Sequence, residues 1–364
     1  MESNGLEIIV KRIEAEVALC VSVLQTDGSL PSDRGTLLRA LLKFIMHMMQ
    51  TSGSADRMRN LIESSLPKSI LIILENSKGF GANVFGISIN IMATFIHNEP
   101  TSLNILQEAK LPLAFLNSIN ASMPVSAEVI SAIPNAFGAI CLNSAGLDAF
   151  NEANKIETYL QIFTEKENLR TVQDNDVPHL VGNSMDELIR HQPSLKESII
   201  SALISMLSKV IELGDFYSNE KLDKTVLLLS PSDSPIKEKE ERAQREEDIV
   251  IMIDVVSRIL EGLFQNVAHA QDFIRLGGTE KLQQLSQLAC IPYDFTSAPS
   301  SFTLSYLFRV LIESEPNRSI EIIVNRTKHM MGLLNNFLER SENGSILEKY
   351  IHLSSGNLYS IHHF

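Results

Sequence analysis

Three segments of this 364-residue chain carry one pattern: "FIHNEPTSLNILQEAKLPLAFL", "ICLNSAGLDAFNEANKIETYLQIF" and "LFQNVAHAQDFIRLGGTEKLQQL". Each closes an apolar helix at an asparagine, namely Asn98, Asn143 and Asn266. An apolar anchor follows seven or eight residues on, Leu106, Phe150 or Phe273, then a polar or glycine break, then another helix ending in Leu or Phe. A weaker echo, "VLIESEPNRSIEII", surrounds Pro316. The 45 residues from Asn98 to Asn143 fall within the roughly 40 to 47 of an armadillo or HEAT unit. One helical hairpin or triplet cannot bury its apolar face alone, so neighbouring units stack into a continuous core. The repeat therefore predicts an all-α fold, an irregular armadillo/HEAT-like α-solenoid.

Helical periodicity recurs along the chain. The clearest case is "SLKESIISALISMLSKVIELGD", where Ser194 and Glu197 read as a capping box, Leu195, Ile199, Leu203, Met206, Val210 and Leu213 share a face, and Gly214 reads as the helix end. Further periodic segments are Leu6 to Leu24, Thr36 to Met49, Phe85 to Ile96, Ala127 to Leu142, Ile249 to Val267, Phe302 to Ile312, Ile320 to Leu338 and Ile346 to Leu353. Short connections marked by Pro, Gly, Asn or Ser separate them, and alternating strand patterns are nearly absent.

The exception is "SPSDSPIKEKEERAQREED", Ser230 to Asp248, which has no apolar side chain after Ile236 other than an alanine. A stretch with so little to bury does not offset its ordering entropy, so a mobile loop grading into the exposed first turns of the next helix is expected. Domain organisation follows: repeats over 1–229, a charged mobile insertion over 230–248, and repeats over 249–364. The insertion also lengthens the step from Asn143 to Asn266.

Composition narrows the function classes. With 44% hydrophobic residues, 6% aromatics and no Trp, the chain favours helix-on-helix packing. A net charge of -13 argues against nucleic acid or an anionic membrane as partner, because both need clustered Lys and Arg. No uninterrupted apolar run reaches the roughly 18 to 20 residues of a membrane span. The start, "MESNGLEIIVKRIEAEV", is acidic where an export signal is basic. Three separated cysteines, Cys20, Cys141 and Cys290, suit neither a disulfide framework nor a closed zinc site, and read as reduced thiols of an intracellular protein.

Catalytic constellations are not evident, and no catalytic residue, cofactor or metal ligand is expected. Cys141 shares a helical face with Phe137 and Ile133 and has no local Cys/His signature, so it reads as core. Pro134 bends or opens a helix, Asn143 closes it, and Gly146 with Phe150 starts and anchors the next. The glycines of "KGFGANVFG" (Gly79, Gly81 and Gly86) lack the Lys-Ser/Thr of a phosphate loop and read as a helix-helix turn; Gly277 and Gly278 read as a hinge between a short and a long helix. Met46, Met48 and Met49 read as core filler, with a plastic binding surface as the other option. Asp186 with Arg190 and Glu187 with His191 can pair at i,i+4 on the surface. His362 and His363 are adjacent near the end of the chain.

The blocks "IPNAFGAICLNSAGLDAF", "MDELIRHQPSLK", "FIHNEPTSLNILQEAKLP" and "CIPYDFTSAPS" together resemble the armadillo-like N-terminal region of the giant HECT-type E3 ubiquitin ligases, the Mule-like group and its fungal counterparts. The similarity runs from about Leu66 to Leu338. Those ligases carry a long acidic insertion where this chain has the short, mixed "KEKEERAQREED", so an acidic-tract role does not carry over. The resemblance implies a scaffold of curved repeats that recruits protein substrates and contacts other parts of a parent ligase in the nucleus and cytoplasm. Ubiquitin would arrive from a loaded E2 through a C-terminal HECT cysteine, to which none of Cys20, Cys141 and Cys290 corresponds. The alternative is a free-standing armadillo-type adaptor such as a transport or assembly factor, although adaptors that read basic peptides use groove tryptophans and this chain has none.

Overall fold

A computed structural model describes residues 2–51, 55–98, 103–173, 176–227, 235–292 and 294–339. Among these the fold is all-α, with no strand, and it divides into two compact units. The expectation of an all-α, solenoid-like fold is met, since helices stack in layers within each unit. The expected Ile346 to Leu353 helix, residues 228–234 of the insertion, and His362 and His363 lie outside the described residues.

The first unit spans Met1–Tyr159 with Arg190–Gln192. It holds α1 (Glu2–Asp27), α2 (Ser32–Gln50), α3 (Ala55–Glu63), α4 (Leu66–Glu75), α5 (Ser77–Asn98), α6 (Leu103–Glu108), α7 (Leu111–Ser118), α8 (Ala127–Ile140), α9 (Ser144–Ala153) and most of α10 (Lys155–Gln161). The second, Leu160–Ile189 with Pro193–Phe364, holds α11 (Leu169–Val172), most of α12 (Val177–His191), α13 (Lys196–Leu227), α14 (Pro235–Leu263), α15 (Val267–Arg275), α16 (Gly278–Ser286), α17 (Pro299–Ser314) and α18 (Pro316–Glu339).

In the first unit α5 is the hub, packing on α2, α4 and α8. Its apolar sequence follows from that position. By length and composition Ser77–Asn98 could cross a membrane, with a mean hydropathy of 1.5 in its most apolar window, but 67% of that window is buried inside the fold. A helix packed on several sides has little polar face to keep. Gly81, at φ 77°, breaks the helical geometry near the start of α5.

The three echoing segments share one helix order: a long helix, a short one and a third, realised as α5–α6–α7, α8–α9–α10 and α14–α15–α16. The break before each third helix is a left-handed residue: Lys110 at φ 59°, Asn154 at φ 44° and Gly277 at φ 86°. Lys110 and Asn154 are the two non-glycine residues with positive φ among those described. Each turns the chain where its own N–H still closes the preceding helix, onto the carbonyls of Gln107, Phe150 and Ile274 respectively. Left-handed backbone costs an ordinary residue about 1–2 kcal/mol, so its recurrence marks a joint that the surrounding packing enforces.

Four boundaries differ from expectation. A 3-10 turn, Pro193–Leu195, stands where the capping box was placed, and α-helical geometry starts at Lys196. Gly214 does not end α13, which continues to Leu227; a methyl there would meet Leu288 Cδ1 at 2.5 Å, so the glycine serves close packing. The helix expected to run to Val267 stops at Leu263, and Val267 opens α15. Backbone from Pro235 onward is helical, so α14 includes most of the charged segment.

Candidate functional site

The repeat junction around Cys141 shows what the most suggestive stretch of sequence builds. Ser126 caps α8 by accepting from the Val129 N–H at 3.2 Å. Pro134 sits inside that helix and does not open it. Proline has no N–H, so the carbonyl four residues back, on Ile130, loses its helical donor. The hydroxyl of Tyr159, a fully buried side chain from α10, donates to that carbonyl at 2.8 Å.

Phe137 is the centre of the aromatic cluster around this junction. Its ring meets Phe150 at 4.8 Å, Phe115 at 5.9 Å and Tyr159 at 5.9 Å, all edge to face. Such pairs contribute about 0.5–1.5 kcal/mol each beyond burial. Asn143 follows as the cap of α9, its Oδ1 accepting from the Gly146 N–H at 2.6 Å. A methyl on Gly146 would collide with the Ile140 carbonyl.

Cys141 ends α8 and is 1% exposed. Burial pushes its thiol up to about 12, so it is a neutral thiol at physiological pH. Its carbonyl, not its sulfur, is engaged, accepting from Gln192 Nε2 at 2.6 Å. Cys20 and Cys290 are buried too, and burial with the nearby Glu16 pushes the Cys20 thiol up. Glu16 is 1% exposed and held by Arg12 at 3.2 Å and Arg34 at 2.8 Å. Among the described residues no group of three or more His, Cys, Asp or Glu is placed to hold a metal ion.

The second unit repeats the junction with different residues. Asn266 caps α15 by accepting from the Ala268 N–H at 3.1 Å, and Phe273 packs edge-on against Phe264 at 5.1 Å. A methyl on Gly278 would enter the Phe273 ring. Helices α15 and α16 are both nine residues long, so Gly277 joins two short helices, not a short and a long one. Asn98 is the last residue of α5, and the residues after it lie outside the described set. Leu106 is fully buried.

Charged groups in the second unit form contacts that sequence spacing did not indicate. Asp186 Oδ1 lies 3.0 Å from His269 Nε2, across 83 residues. His269 is 3% exposed and its Nδ1 has no partner. Burial holds this imidazole below the usual histidine range, against the opposing pull of Asp186. Nearby Asp272 pairs with Lys196 at 2.6 Å and Arg275 at 3.4 Å. Gly182 on α12 and Gly262 on α14 are also new: a methyl on either would strike the other helix's backbone, at the Ile259 or His179 carbonyl.

The first unit also carries a groove of about 940 Å³ between α1, α2 and α3. Leu6, Val10, Phe44, Met48 and Leu61 supply its apolar walls, and the charged residues Glu7, Lys11, Glu14, Arg57 and Glu63 also line it. The three methionines thus divide: Met49 is core, Met46 is half-buried with the Thr94 hydroxyl 3.7 Å from its sulfur, and Met48 lines the groove. The groove can take an apolar segment but has no arrangement of groups for bond-making chemistry.

Comparison with known proteins adds a context. A family model described as Domain of Unknown Function (DUF913) matches residues 1–235 and 217–294. The chain is 34% identical over 314 residues to the E3 ubiquitin-protein ligase ptr1 of Schizosaccharomyces pombe, covering 83% of this chain and 9% of ptr1. It is 30% identical over 290 residues to the E3 ubiquitin-protein ligase UPL1 of Arabidopsis thaliana, covering 75% of this chain and 8% of UPL1. Against the E3 ubiquitin-protein ligase HUWE1 of Mus musculus it is 28% identical over 242 residues, covering 58% of this chain and 6% of HUWE1. The chain thus spans less than a tenth of the length of these relatives.

Proposed function

The chain belongs to the DUF913 family and is homologous to E3 ubiquitin-protein ligases, and on that premise we propose that it is a non-catalytic scaffold and substrate-docking segment of a giant HECT-type ligase. In this reading the parent transfers ubiquitin from E2 to substrate through a HECT cysteine outside this chain. The segment's armadillo-like repeats present surfaces to protein substrates and to the rest of the ligase, in the nucleus and cytoplasm. The observation that carries the reading is a disproportion: the similarity covers 83% of this chain and only 9% of ptr1. The chemistry of the segment agrees with it, because Cys20, Cys141 and Cys290 are all buried and acyl transfer needs an accessible thiolate.

The test supplies the purified chain with ubiquitin, activating enzyme and charged E2, and looks for a thiol-sensitive ubiquitin adduct. None is expected. Deleting the segment from a full-length relative should leave that enzyme's own ubiquitin thioester intact and weaken ubiquitination of a subset of substrates. A ubiquitin thioester on Cys20, Cys141 or Cys290 would overturn the reading.

A further inference from the structure

In the first unit α1 packs on α2 and α4, and α3 on α4 and α5, which leaves the groove of about 940 Å³ as a gap between α3 and the α1–α2 pair. Along α1 its lining runs from Gly5 to Glu14, about 14 Å or two to three helical turns. Val10 and Leu61 form a closed floor at 3% and 1% exposure, whereas Phe44 is 44% exposed and Leu6, Ile9 and Met48 are half-buried. Apolar side chains are therefore within reach of a ligand. Leu6 with Val10 and Phe44 with Met48 are each four residues apart, so both helices offer the rows between which a further helix packs.

We propose that this groove docks an amphipathic helix of a partner protein, apolar on one face and carrying Lys or Arg beside that face. Main-chain pairing decides between a helix and an extended peptide. The walls are helices, whose backbone groups are spent on one another, and the floor is apolar, so an extended ligand would leave its own N–H and C=O groups unpaired. A helix pairs these internally and presents only side chains, with Phe44 as an aromatic anchor and Met48 as an adaptable wall. The charges set the second requirement. Lys11 is tied to Glu7 at 2.7 Å and Arg57 is engaged, while among the described residues Glu14 and Glu63, both exposed, have no ion pair. Carboxylates without cations beside an apolar trough select a basic flank, repel a fatty acid or an anionic lipid, and act in the same sense as the chain's net charge of -13. The inference deepens the docking reading given above and rests on it for its biological setting.

The full chain is panned against a phage-displayed library of short amphipathic helices randomised at their apolar and flanking positions, and the tightest binder is synthesised and titrated by fluorescence anisotropy. Selected sequences should carry apolar residues on one helical face with Lys or Arg beside it, and the bound peptide should protect α1, α2 and α3 from hydrogen exchange. Phe44→Ala should weaken binding by about tenfold or more. Because that ring also packs within the chain, Glu14→Lys combined with Glu63→Lys is the second variant, both at exposed positions. It should weaken the basic-flanked peptide by about tenfold, tighten a version with Glu in place of its basic residues, and leave the thermal melt unchanged. The proposal is overturned if no helix is selected, if the selected sequences lack the apolar face or the basic flank, or if both variants bind as wild type. Self-association of the chain that Phe44→Ala abolishes would overturn it in favour of a second copy as the occupant. The ubiquitin thioester experiment does not read this groove, so failure here and failure of the ligase reading are distinguishable.

Discussion

The hydroxyl of Tyr159 donates to the carbonyl of Ile130 at 2.8 Å, the acceptor that Pro134 leaves without its helical donor. The two residues are thus coupled through a third. Tyr159→Phe should cost about 1–3 kcal/mol, because it strands a buried carbonyl. Pro134→Ala restores a competing N–H, so in that background the same change should cost at least about 1 kcal/mol less. Urea unfolding of the four variants measures the coupling, and strict additivity would refute it.

Asn143 and Asn266 do the same work with unequal geometry. Asn143→Ala should destabilise by about 1–2 kcal/mol and Asn266→Ala by about 0.5–1 kcal/mol, because the first bond is shorter and part-buried and the second is exposed. Aspartate at either position should retain most of the cap. Equilibrium unfolding orders the variants, and an inverted order would count against this account.

The left-handed joints predict opposite responses at equivalent sites. Gly277→Ala should cost about 1–2 kcal/mol, since it places a Cβ on a left-handed backbone. Lys110→Gly should stabilise by roughly 0.5–1 kcal/mol, the relief of that strain outweighing the greater entropy of glycine when unfolded. Both are read by urea midpoints, and destabilisation in Lys110→Gly would contradict the assigned geometry.

Acid should weaken the second unit in two separate ranges. His269 is held below the usual histidine range, chiefly by burial, so the folded state binds its proton less readily than the unfolded state does. Stability is therefore lost as pH falls from about 6.5 toward the lowered folded value. For Asp272 burial acts upward, yet Lys196 and Arg275 hold its carboxyl below the usual carboxylate range, so its contribution disappears only in the acid range. His269→Gln should flatten the decline that sets in as pH falls below about 6.5 and leave the lower limb. Unfolding midpoints across that range decide it, and an unchanged slope would exclude His269 as the cause.

Cys141 should be inert in the native chain. A thiol pushed up to about 12 holds on the order of one part in a hundred thousand as thiolate at neutral pH. Alkylation by iodoacetamide should therefore track unfolding, checked by peptide mass mapping with and without urea. Rapid native labelling of Cys141 would show that the junction opens.

What the sequence made legible is mostly local. Asn143 and Asn266 stand out because a cap bonds backbone two or three residues away, and Phe150 and Phe273 because an anchor must follow its cap at fixed helical spacing. Gly214 misleads for the same reason: a glycine after an apolar run resembles a helix end, whereas its cause, Leu288, lies 74 residues on and becomes a neighbour through folding. Gly182 with Gly262 and Asp186 with His269 are equally invisible to spacing, since each pair comes from different helices.

The joints at Lys110, Asn154 and Gly277 have a consequence for how such chains diverge. Three chemically unrelated residues occupy one torsional state, so what the three joints share is a handedness and not a letter. Substitutions can erase the visible likeness between copies while every bend survives. Ancestry within this architecture is therefore better traced by aligning dihedral angles around each cap than by matching side chains, and duplications that look too eroded to count become recognisable by the turn they keep.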